Sequence, residues 1–396
     1  MLDTIKVKLK LTKPQEEFCL FNGGACRFLY NEALRQNINS YNSTKTLKLS
    51  NTNDILYNLL KNQEFSWLKQ CEQTSLTQSL HNLESAFKNF FHSRNKFRKG
   101  KIISFPRFKS KHKSRYNFTI INENDFCKLR GSNLSLPKLG LVNVWNFQSQ
   151  LKDRLNDEKI KRVTISRDSD QGWYASILID RKNLLKPIYK STNLTVGIDV
   201  GIRTSIACYD NVGDYNSVQS PDITKLDTKI KTLHKVLSRK QRGSKNESEA
   251  RTKLAKTYFH AKNIRKYFNH KMSDFLVKTY DVITVENLSI QHMMKQHLLA
   301  GKIQNQAWYQ FISFLDYKCM RNEKTLIKVD TYFPSSKLCS NCKSKNDIGG
   351  LEWYCCPTCG YTHNRDENAA KNLNKISEHF KNTNQQITTE KEFLLL

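Results

Sequence analysis

Apolar and polar positions in the first hundred residues predict one strand followed by helices. TIKVKLKL at 4–11 alternates apolar with mostly basic residues, which indicates a strand with one wet, cationic face. Thr12-Lys13-Pro14-Gln15 has the form of a capping box, and the helical pattern runs from there to about Arg35. Gly23-Gly24 crosses it and indicates either a break or the close approach of another backbone. Steps of four and three mark a further amphipathic helix at Leu76, Leu80, Leu83, Phe87 and Phe90. We therefore expect residues 12–98 to be mainly helical.

From residue 136 to 179 the pattern changes to that of strands. KRVTISRDSDQGWYASILID at 161–180 predicts a hairpin that turns over Asp168–Gly172. The N-terminal half is thus expected to be a small β-domain with a helical block inserted after its first strand. Lys186-Pro187 and Ser191–Asn193 are a plausible boundary to the second half.

The second half alternates strands with helices. LTVGIDVGIRTSIACYD at 194–210 predicts two strands, and two long helical patterns separated by GSKNESE predict an antiparallel helical hairpin. DVITVEN at 281–287 is typical of a buried strand, a helix is expected over about 304–321, and TLIKVDTYF at 325–333 is another strand. Residues 363–376 are expected to be helical. The tail from Ser377 is polar apart from its last residues and is expected to be poorly ordered.

The charge composition of the chain predicts a polyanionic partner. The chain has 396 residues, and 65 Lys and Arg against 36 Asp and Glu give a formal net charge of +29, which favours nucleic acid. A ribosomal-type basic protein is the plainer alternative, although 38% hydrophobic residues are enough to form real cores. No apolar run is long enough to span a membrane, and the N-terminus has no apolar core of a signal peptide. We expect a cytoplasmic protein that is not membrane-bound.

Five of the eleven cysteines lie between Cys339 and Cys359, which favours a metal in a reducing compartment over a disulfide framework. Two Cys-x2-Cys pairs stand at the spacing of a zinc ribbon, and two such turns complete the tetrahedron that zinc prefers. Four thiolates leave no open position, so the zinc should be structural. Cys355 would stretch the second pair and is expected to stay free. The predicted ligands are Cys339, Cys342, Cys356 and Cys359.

Three carboxylates far apart in sequence stand at the ends of predicted elements. Asp199 lies in Val-Gly-Ile-Asp-Val-Gly, Glu286 ends an apolar strand, and Asp366 begins the helix after the cysteines. Each alone also fits an ordinary turn or cap residue. Acids at the ends of buried strands are costly unless cations meet them, and two Mg²⁺ ions would meet that need while supporting phosphodiester hydrolysis. Taken together on so basic a chain, the three acids favour a metal site.

Two basic segments are candidates for binding the nucleic-acid backbone. Residues 97–118 interleave cations with aromatic rings, which favours phosphate contacts and base stacking, with a solvated loop as the alternative. A helix near residues 253–271 carries a basic face that is either solvated or follows phosphates. The candidate residues are Arg107, Lys109, Lys111, Lys262, Arg265 and Lys266.

Several blocks of the sequence resemble the TnpB (OrfB) proteins of bacterial and archaeal insertion sequences. In chain order these blocks are CRFLYN (26–31), LESAFKNFF (83–91), FPRFKSK (105–111), LPKLG (136–140), GIDVG (197–201), VENL (285–288), and CPTCG (356–360) followed by RDENAA (365–370). The resemblance covers roughly residues 4–376. It implies an RNA-guided DNA endonuclease related to the type V CRISPR effectors.

The resemblance also implies a domain plan of mixed α/β and β type. A wedge-like β-barrel would comprise 1–11 and 99–190, with a helical recognition lobe at 12–98 inserted. A RuvC nuclease of RNase H-like fold would comprise 194–334 and 362–376, with a zinc ribbon at 335–361 that binds target nucleic acid. Residues 377–396 would be a disordered tail. Asp199, Glu286 and Asp366 fall on the family's catalytic positions, and the four cysteines fall on its zinc ligands.

The implied activity is Mg²⁺-dependent cleavage of guide-complementary DNA beside a short adjacent motif. The implied partners are a guide RNA from the transposon end and double- or single-stranded target DNA, with the protein acting as a monomeric ribonucleoprotein. Two alternatives stay open at this point. One is a nuclease-inactive, RNA-guided DNA-binding regulator, and the other is a transposase that binds element ends directly.

Overall fold

The computed structural model describes residues 2–44, 52–94, 102–111, 116–123, 125–145, 159–180, 189–289, 293 and 300–396. The chain divides into two compact units, Met1–Leu184 and Leu185–Leu396. None of the helices in the described part of the chain has the length and apolar content needed to span a bilayer. Some sequence expectations fall partly on residues outside these ranges. They concern the helical block at 12–98, the basic segment at 97–118, the strands at 136–179, the boundary at 186–193 and the nuclease segment at 194–334.

The first unit contains a seven-stranded sheet in the order β2-β6-β7-β1-β5-β4-β3. Its strands are β1 (Leu2–Lys10), β2 (Asn117–Ile121), β3 (Lys128–Arg130), β4 (Asn133–Leu136), β5 (Gly140–Val144), β6 (Lys159–Arg167) and β7 (Trp173–Asp180). The predicted hairpin is confirmed as β6 and β7. Within the described residues the sheet stays open, because β2 and β3 form its two edges and do not pair with each other. Since closure requires the edge strands to pair, the expected closed barrel is wrong for this part of the chain.

The alternating pattern of β1 explains its place near the middle of the sheet. Ile5, Val7 and Leu9 are buried, whereas the intervening Lys6 and Lys8 face solvent. Successive strand residues point to opposite faces, so a single register buries all three apolar side chains. Burying each such side chain contributes about 1.5–3 kcal/mol.

Helices cover one part of this unit, as the apolar spacing predicts. They are α1 (Lys13–Thr44), α2 (Thr52–Lys61), a 3₁₀ segment (Gln63–Gln70) and α3 (Gln73–Arg94). The predicted apolar face of α3 is buried in full. Gly23 does not break α1. A Cβ added there would lie 3.5 Å from the ring of Tyr116 and 3.8 Å from the backbone nitrogen of Asn117, so the glycine marks the close approach of β2.

The second unit is built on a five-stranded sheet in the order β10-β9-β8-β11-β12. Its strands are β8 (Thr195–Asp199), β9 (Ile206–Asp210), β10 (Tyr215–Val218), β11 (Val282–Glu286) and β12 (Thr325–Val329). The first three are antiparallel, while β11 runs parallel to both β8 and β12. Parallel neighbours need long crossovers, and helices lie in both of them. These are α4 (Thr224–Ser238), α5 (Lys245–Thr279), α6 (Ala300–Gln306) and α7 (Trp308–Arg321).

After β12 come a small hairpin and the last helices: β13 (Trp353–Cys355), β14 (Thr362–Asn364), α8 (Arg365–Thr383) and α9 (Glu390–Leu394). The structure differs here from the expected poorly ordered tail. Phe393 is fully buried, and its ring lies 5.3 Å from that of Phe333, centroid to centroid. Thr389 and Glu392 form a capping box that starts α9. One aromatic anchor among polar residues thus holds a segment whose composition is typical of disorder.

Candidate metal centres

Two of the three predicted acids end neighbouring parallel strands. β8 and β11 pair with Ile198 opposite Val285, and Asp199 and Glu286 are the next and last residues of their strands. The carboxyl ends of parallel strands lie at the same edge of a sheet. Four buried residues precede each acid, so the strands are fixed by core packing while the acids are half-buried.

The third acid reaches the same edge because α8 lies directly on β8. A Cβ added at Gly197 would overlap the backbone of Ala370 and Asn374, so only glycine allows this approach. Asp366 lies one turn before Ala370, and Asp199 lies two residues beyond Gly197. The helix therefore delivers the carboxylate of its first turn to the end of the strand. Its start is fixed by Asn364, whose side chain accepts hydrogen bonds from the backbone nitrogens of Asp366, at 3.0 Å, and Glu367, at 3.2 Å.

The acids influence each other electrostatically. Burial raises the pKa of Asp199 well above its ordinary value, and the charges of Glu286 and Asp366 raise it further, while Arg365 opposes the shift. Burial also raises the pKa of Glu286, against a hydrogen bond from Ser335 and the charge of Arg365. Such mutual repulsion is what a bound cation would relieve.

The donor set fits Mg²⁺, which prefers carboxylate oxygens. Asp199, Glu286 and Asp366 supply only such oxygens, and they come from three elements that converge at one edge. Among the described residues, these acids are not gathered as tightly as the cysteine cluster, in which all ligand atoms lie within 4.8 Å of one another.

That cluster consists of Cys339, Cys342, Cys356 and Cys359, as the spacing predicts. The sulfurs of Cys339 and Cys359 are 3.7 Å apart, and so are those of Cys342 and Cys356. This set fits a structural zinc ion, since four sulfur ligands are typical of closed tetrahedral sites. Cys355 stays outside the group, and its thiol lies 3.2 Å from the backbone oxygen of Gly360.

The two Cys-x2-Cys turns have the same backbone pattern. In the first, the nitrogen of Lys343 donates to the oxygen of Cys339 at 2.8 Å, and in the second Gly360 donates to Cys356 at 2.8 Å. Lys343 and Gly360 both have positive φ, +61° and +69°. A left-handed residue at this position turns the chain back after each pair, and glycine takes that conformation without a Cβ penalty.

Polar side chains surround the sulfurs. His363 is buried, and its Nε2 lies 3.0 Å from the sulfur of Cys339. Burial raises the pKa of Cys339 to about 12, whereas hydrogen bonding with Ser344 lowers the pKa of Cys342. Zinc binds thiolates, so binding would release protons from the more buried cysteine. β14 carries His363 and runs straight into α8, which joins this cluster to the helix bearing Asp366.

The predicted basic residues divide into exposed and packed ones. Arg107 and Lys111 are exposed in unit one, as are Lys262 and Lys266 on α5 of unit two. Lys109 is half-buried instead: its ammonium lies 3.6 Å from the centre of the Tyr30 ring, and burial lowers its pKa.

Arg265 is also half-buried, on α5, and its guanidinium donates to Oδ1 of Asn305 at 2.6 Å. The side chain of Asn305 in turn donates to Asp227 at 2.9 Å. This chain of hydrogen bonds joins α4, α5 and α6. Arg265 and Lys109 therefore both hold parts of the fold together, whatever else they bind.

Sequence comparison finds similar proteins along most of the chain. A protein from Streptomyces pristinaespiralis, named "Putative RNA-guided DNA endonuclease", is 30% identical over 355 residues, covering 88% of this chain and 83% of that protein. The chain belongs to the TnpB family. InsQ of Escherichia coli K12, which is also named a "Putative RNA-guided DNA endonuclease", is 28% identical over 94% of this chain and 91% of its own length.

Three family models match separate parts of this TnpB-family chain: "Helix-turn-helix domain" at 1–46, "Probable transposase" at 182–297 and "Cas12f1-like, TNB domain" at 308–373. Within 1–46 the described residues form β1 and the single helix α1. The fold is also similar to that of Cas12f1 in its complex with single-guide RNA and target DNA, with a TM-score of 0.55 and 14% identity over 94% of this chain and 98% of that one.

Two tertiary contacts at the site leave no signal in the sequence, although Gly197 itself stands in the GIDVG block. The need for glycine at 197 depends on how closely a helix some 170 residues later approaches. The hydroxyl of Ser335 bonds Glu286 from a loop 49 residues further along the chain. Neither relationship produces a periodicity or a motif, since both arise from tertiary contacts.

Proposed function

We propose that this chain is an RNA-guided DNA endonuclease that hydrolyses phosphodiester bonds with Mg²⁺ held by Asp199, Glu286 and Asp366. The observation that carries the proposal is the convergence of these acids, from β8, β11 and α8, at one edge of the five-stranded sheet. The strand order, three antiparallel strands followed by two parallel ones, supports a RuvC nuclease of RNase H-like fold at 194–334 and 362–376. Membership of the TnpB family supports the guided activity.

The protein's own residues would prepare the site. The three carboxylates would hold two Mg²⁺ ions. Bound Mg²⁺ supplies an activated water and stabilises the leaving oxygen. Arg365 lies close enough to the acids to influence Asp199 and Glu286 electrostatically. The exposed cations of α5, including Lys262 and Lys266, would bind the phosphate backbone of the strand being cut.

The first unit would recognise the target. Base pairing with the guide RNA would select the target sequence, while the protein would recognise a short adjacent motif and the shape of the RNA–DNA heteroduplex. A polar pocket lies between α1, α3 and β2, and the exposed amides Asn82 and Asn117 at this pocket support such a role, since amide side chains suit the reading of base edges. Its lining includes Arg27, Gln78, Asn82, Lys109 and Asn117. The helical segment 12–98 would be the recognition lobe, inserted into the β-domain of 1–11 and 99–190.

The segment 335–361 would act as a zinc ribbon that contacts the target nucleic acid. Trp353 and Leu351 are each 60% exposed, and Tyr332, just before the segment, is 90% exposed. Exposed rings on and beside a structural zinc module, here Trp353 and Tyr332, are suited to stacking on unpaired bases. The partners proposed are a guide RNA from the transposon end and the DNA it matches.

The proposal is tested by purifying the protein expressed with its native flanking DNA and sequencing the RNA that copurifies. That RNA, loaded on the protein, is then given a matched plasmid with Mg²⁺. We expect cleavage by the wild type and by Asp316→Ala, an exposed acid on α7 paired with Lys328, but none by Asp199→Ala. Retained cleavage by Asp199→Ala would overturn the site assignment. Guided binding without cleavage by the wild type would identify a DNA-binding regulator instead.

A further inference from the structure

The loop that leads from β12 to the first cysteine pair places a hydroxyl against the acid site. Ser335 is 3% exposed, and its hydroxyl donates a hydrogen bond to Oε1 of Glu286. A glutamate at a strand end has three side-chain torsions and can place its carboxylate in many positions. A buried hydrogen-bond donor at a fixed point selects one of these positions.

The fixed point is supplied by α8. Asn372 donates from its side-chain nitrogen to the backbone oxygens of Ser335 and Leu338, both at 2.8 Å. Asn368 donates to the same oxygen of Leu338 at 2.7 Å and accepts from the backbone nitrogen of Ser340 at 2.8 Å. Both asparagines are buried, so these bonds are shielded from water.

The same helix carries Asp366 in its first turn, two residues before Asn368. Ser335 is thus held by the element that bears one acid while it bonds another acid on β11. The loop then continues into Cys339, so the cysteine cluster anchors its far end. Through this chain of contacts, the spacing between the carboxylates of Glu286 and Asp366 depends on Ser335.

We propose that Ser335 is a positioning residue for metal binding, which fixes the Glu286 carboxylate relative to Asp366. This inference rests on the proposed function, in which both acids hold Mg²⁺. Hydrogen-bond partners of metal-binding carboxylates set the orientation of those ligands, and their removal costs about 10–100-fold in metal affinity or activity. Ser335 itself contacts neither the metal nor the DNA in this role.

The test compares Ser335→Thr with Ser335→Val, two side chains of the same shape that differ in the hydroxyl. Ser335→Ala and Ser336→Ala form a second pair, because Ser336 is the neighbouring serine and its hydroxyl does not bond the acids. Binding of Mn²⁺ to the zinc-loaded full chain is measured by electron paramagnetic resonance without RNA. The Mg²⁺ concentration that gives half-maximal single-turnover cleavage is measured on the guide complex.

We expect Ser335→Val and Ser335→Ala to weaken Mn²⁺ binding and to raise the half-maximal Mg²⁺ concentration by about tenfold. Ser335→Thr and Ser336→Ala should stay near the wild type. Zinc content and unfolding temperature should not distinguish Thr from Val. If zinc content or unfolding temperature differs between Ser335→Thr and Ser335→Val while their Mn²⁺ binding and Mg²⁺ dependence are equal, the serine is only structural and the proposal fails.

Different experimental results would overturn this inference and the proposed function. If Asp199→Ala still cleaves guide-matched DNA, the metal site is elsewhere and both proposals fall. If Asp199→Ala is inactive while Val and Thr at position 335 show equal Mn²⁺ binding and equal Mg²⁺ dependence, only the positioning role falls.

Discussion

Gly197 lies directly against the backbone of Leu373: a Cβ added to the glycine would be 2.7 Å from the carbonyl carbon of the leucine. Leu373 is fully buried on α8, so this contact sets how closely the helix approaches β8. Asp366, at the start of the same helix, can only reach the strand end beside Asp199 if that approach is kept. The absence of a Cβ at Gly197 thus sets the distance between α8 and β8, and with it the position of Asp366 relative to Asp199.

Gly197→Ala is therefore expected to destabilise the protein and to move α8 away from the sheet. Overpacking of a buried contact typically costs about 1–3 kcal/mol, and backbone atoms cannot move aside as a side chain can. Thermal unfolding measures the loss of stability, and guided cleavage should fall with it. Gly301→Ala is the matched control, because a Cβ there meets no atom within 4 Å. Equal unfolding temperatures for the two variants would contradict this account.

The cysteine cluster should hold one zinc ion per chain. Cys356→Ala removes one of the four sulfurs and should lower the bound zinc measured by atomic absorption, because three ligands leave the tetrahedron incomplete. Cys355→Ser, a change at the adjacent residue outside the cluster, should keep full zinc content. A loss of zinc in Cys355→Ser that equals the loss in Cys356→Ala would show that the ligand set is different.

The cysteine cluster and the helix and strand patterns were predictable because each depends on local spacing. The turn that contains Cys339 and Cys342 forms from residues that are adjacent in sequence. The apolar face of α3 follows from apolar residues at steps of three and four. That three acids converge could be expected only from the resemblance and from their places at the ends of predicted strands and at the start of a predicted helix. The open sheet of the first unit and the burial of Phe393 were not predictable, since they depend on which distant segments meet.

Asp281 should give the second unit a stability that depends on pH. Its carboxylate is half-buried, which disfavours the charge, but hydrogen bonds from Lys324 and Ser191 outweigh this partial burial and bring the pKa down to about 2. The pKa of Asp281 is about 3.9 in the unfolded chain and lower in the folded one. Ionised Asp281 therefore stabilises the folded state fully above about pH 3.9, and this stabilisation is lost as the pH falls towards 2.

Asp281→Asn should accordingly lower the free energy of unfolding at pH 7 by at least about 2 kcal/mol, and by about half as much near pH 3. Part of the cost arises because Lys324, whose side chain is 3% exposed, loses its carboxylate partner. Urea unfolding at the two pH values measures the difference. Asp316→Asn, which breaks the exposed pair with Lys328, should change stability by less than about 1 kcal/mol. A difference for Asp281→Asn that does not vary with pH would rule out this role.

Arg107 and Lys109, two residues apart, should respond differently to substitution by alanine. Arg107 is exposed, so its loss should weaken nucleic-acid binding and reduce the dependence of log K on log salt by about 0.7–0.9 for each lost phosphate contact, without changing stability. Lys109 packs its ammonium on the Tyr30 ring, and alanine removes this contact, so Lys109→Ala should lower the unfolding temperature as well. Binding is measured by fluorescence anisotropy over a salt series, with Lys391→Ala on α9 as an exposed lysine control. Identical salt dependence for Arg107→Ala and Lys391→Ala would remove Arg107 from the nucleic-acid interface.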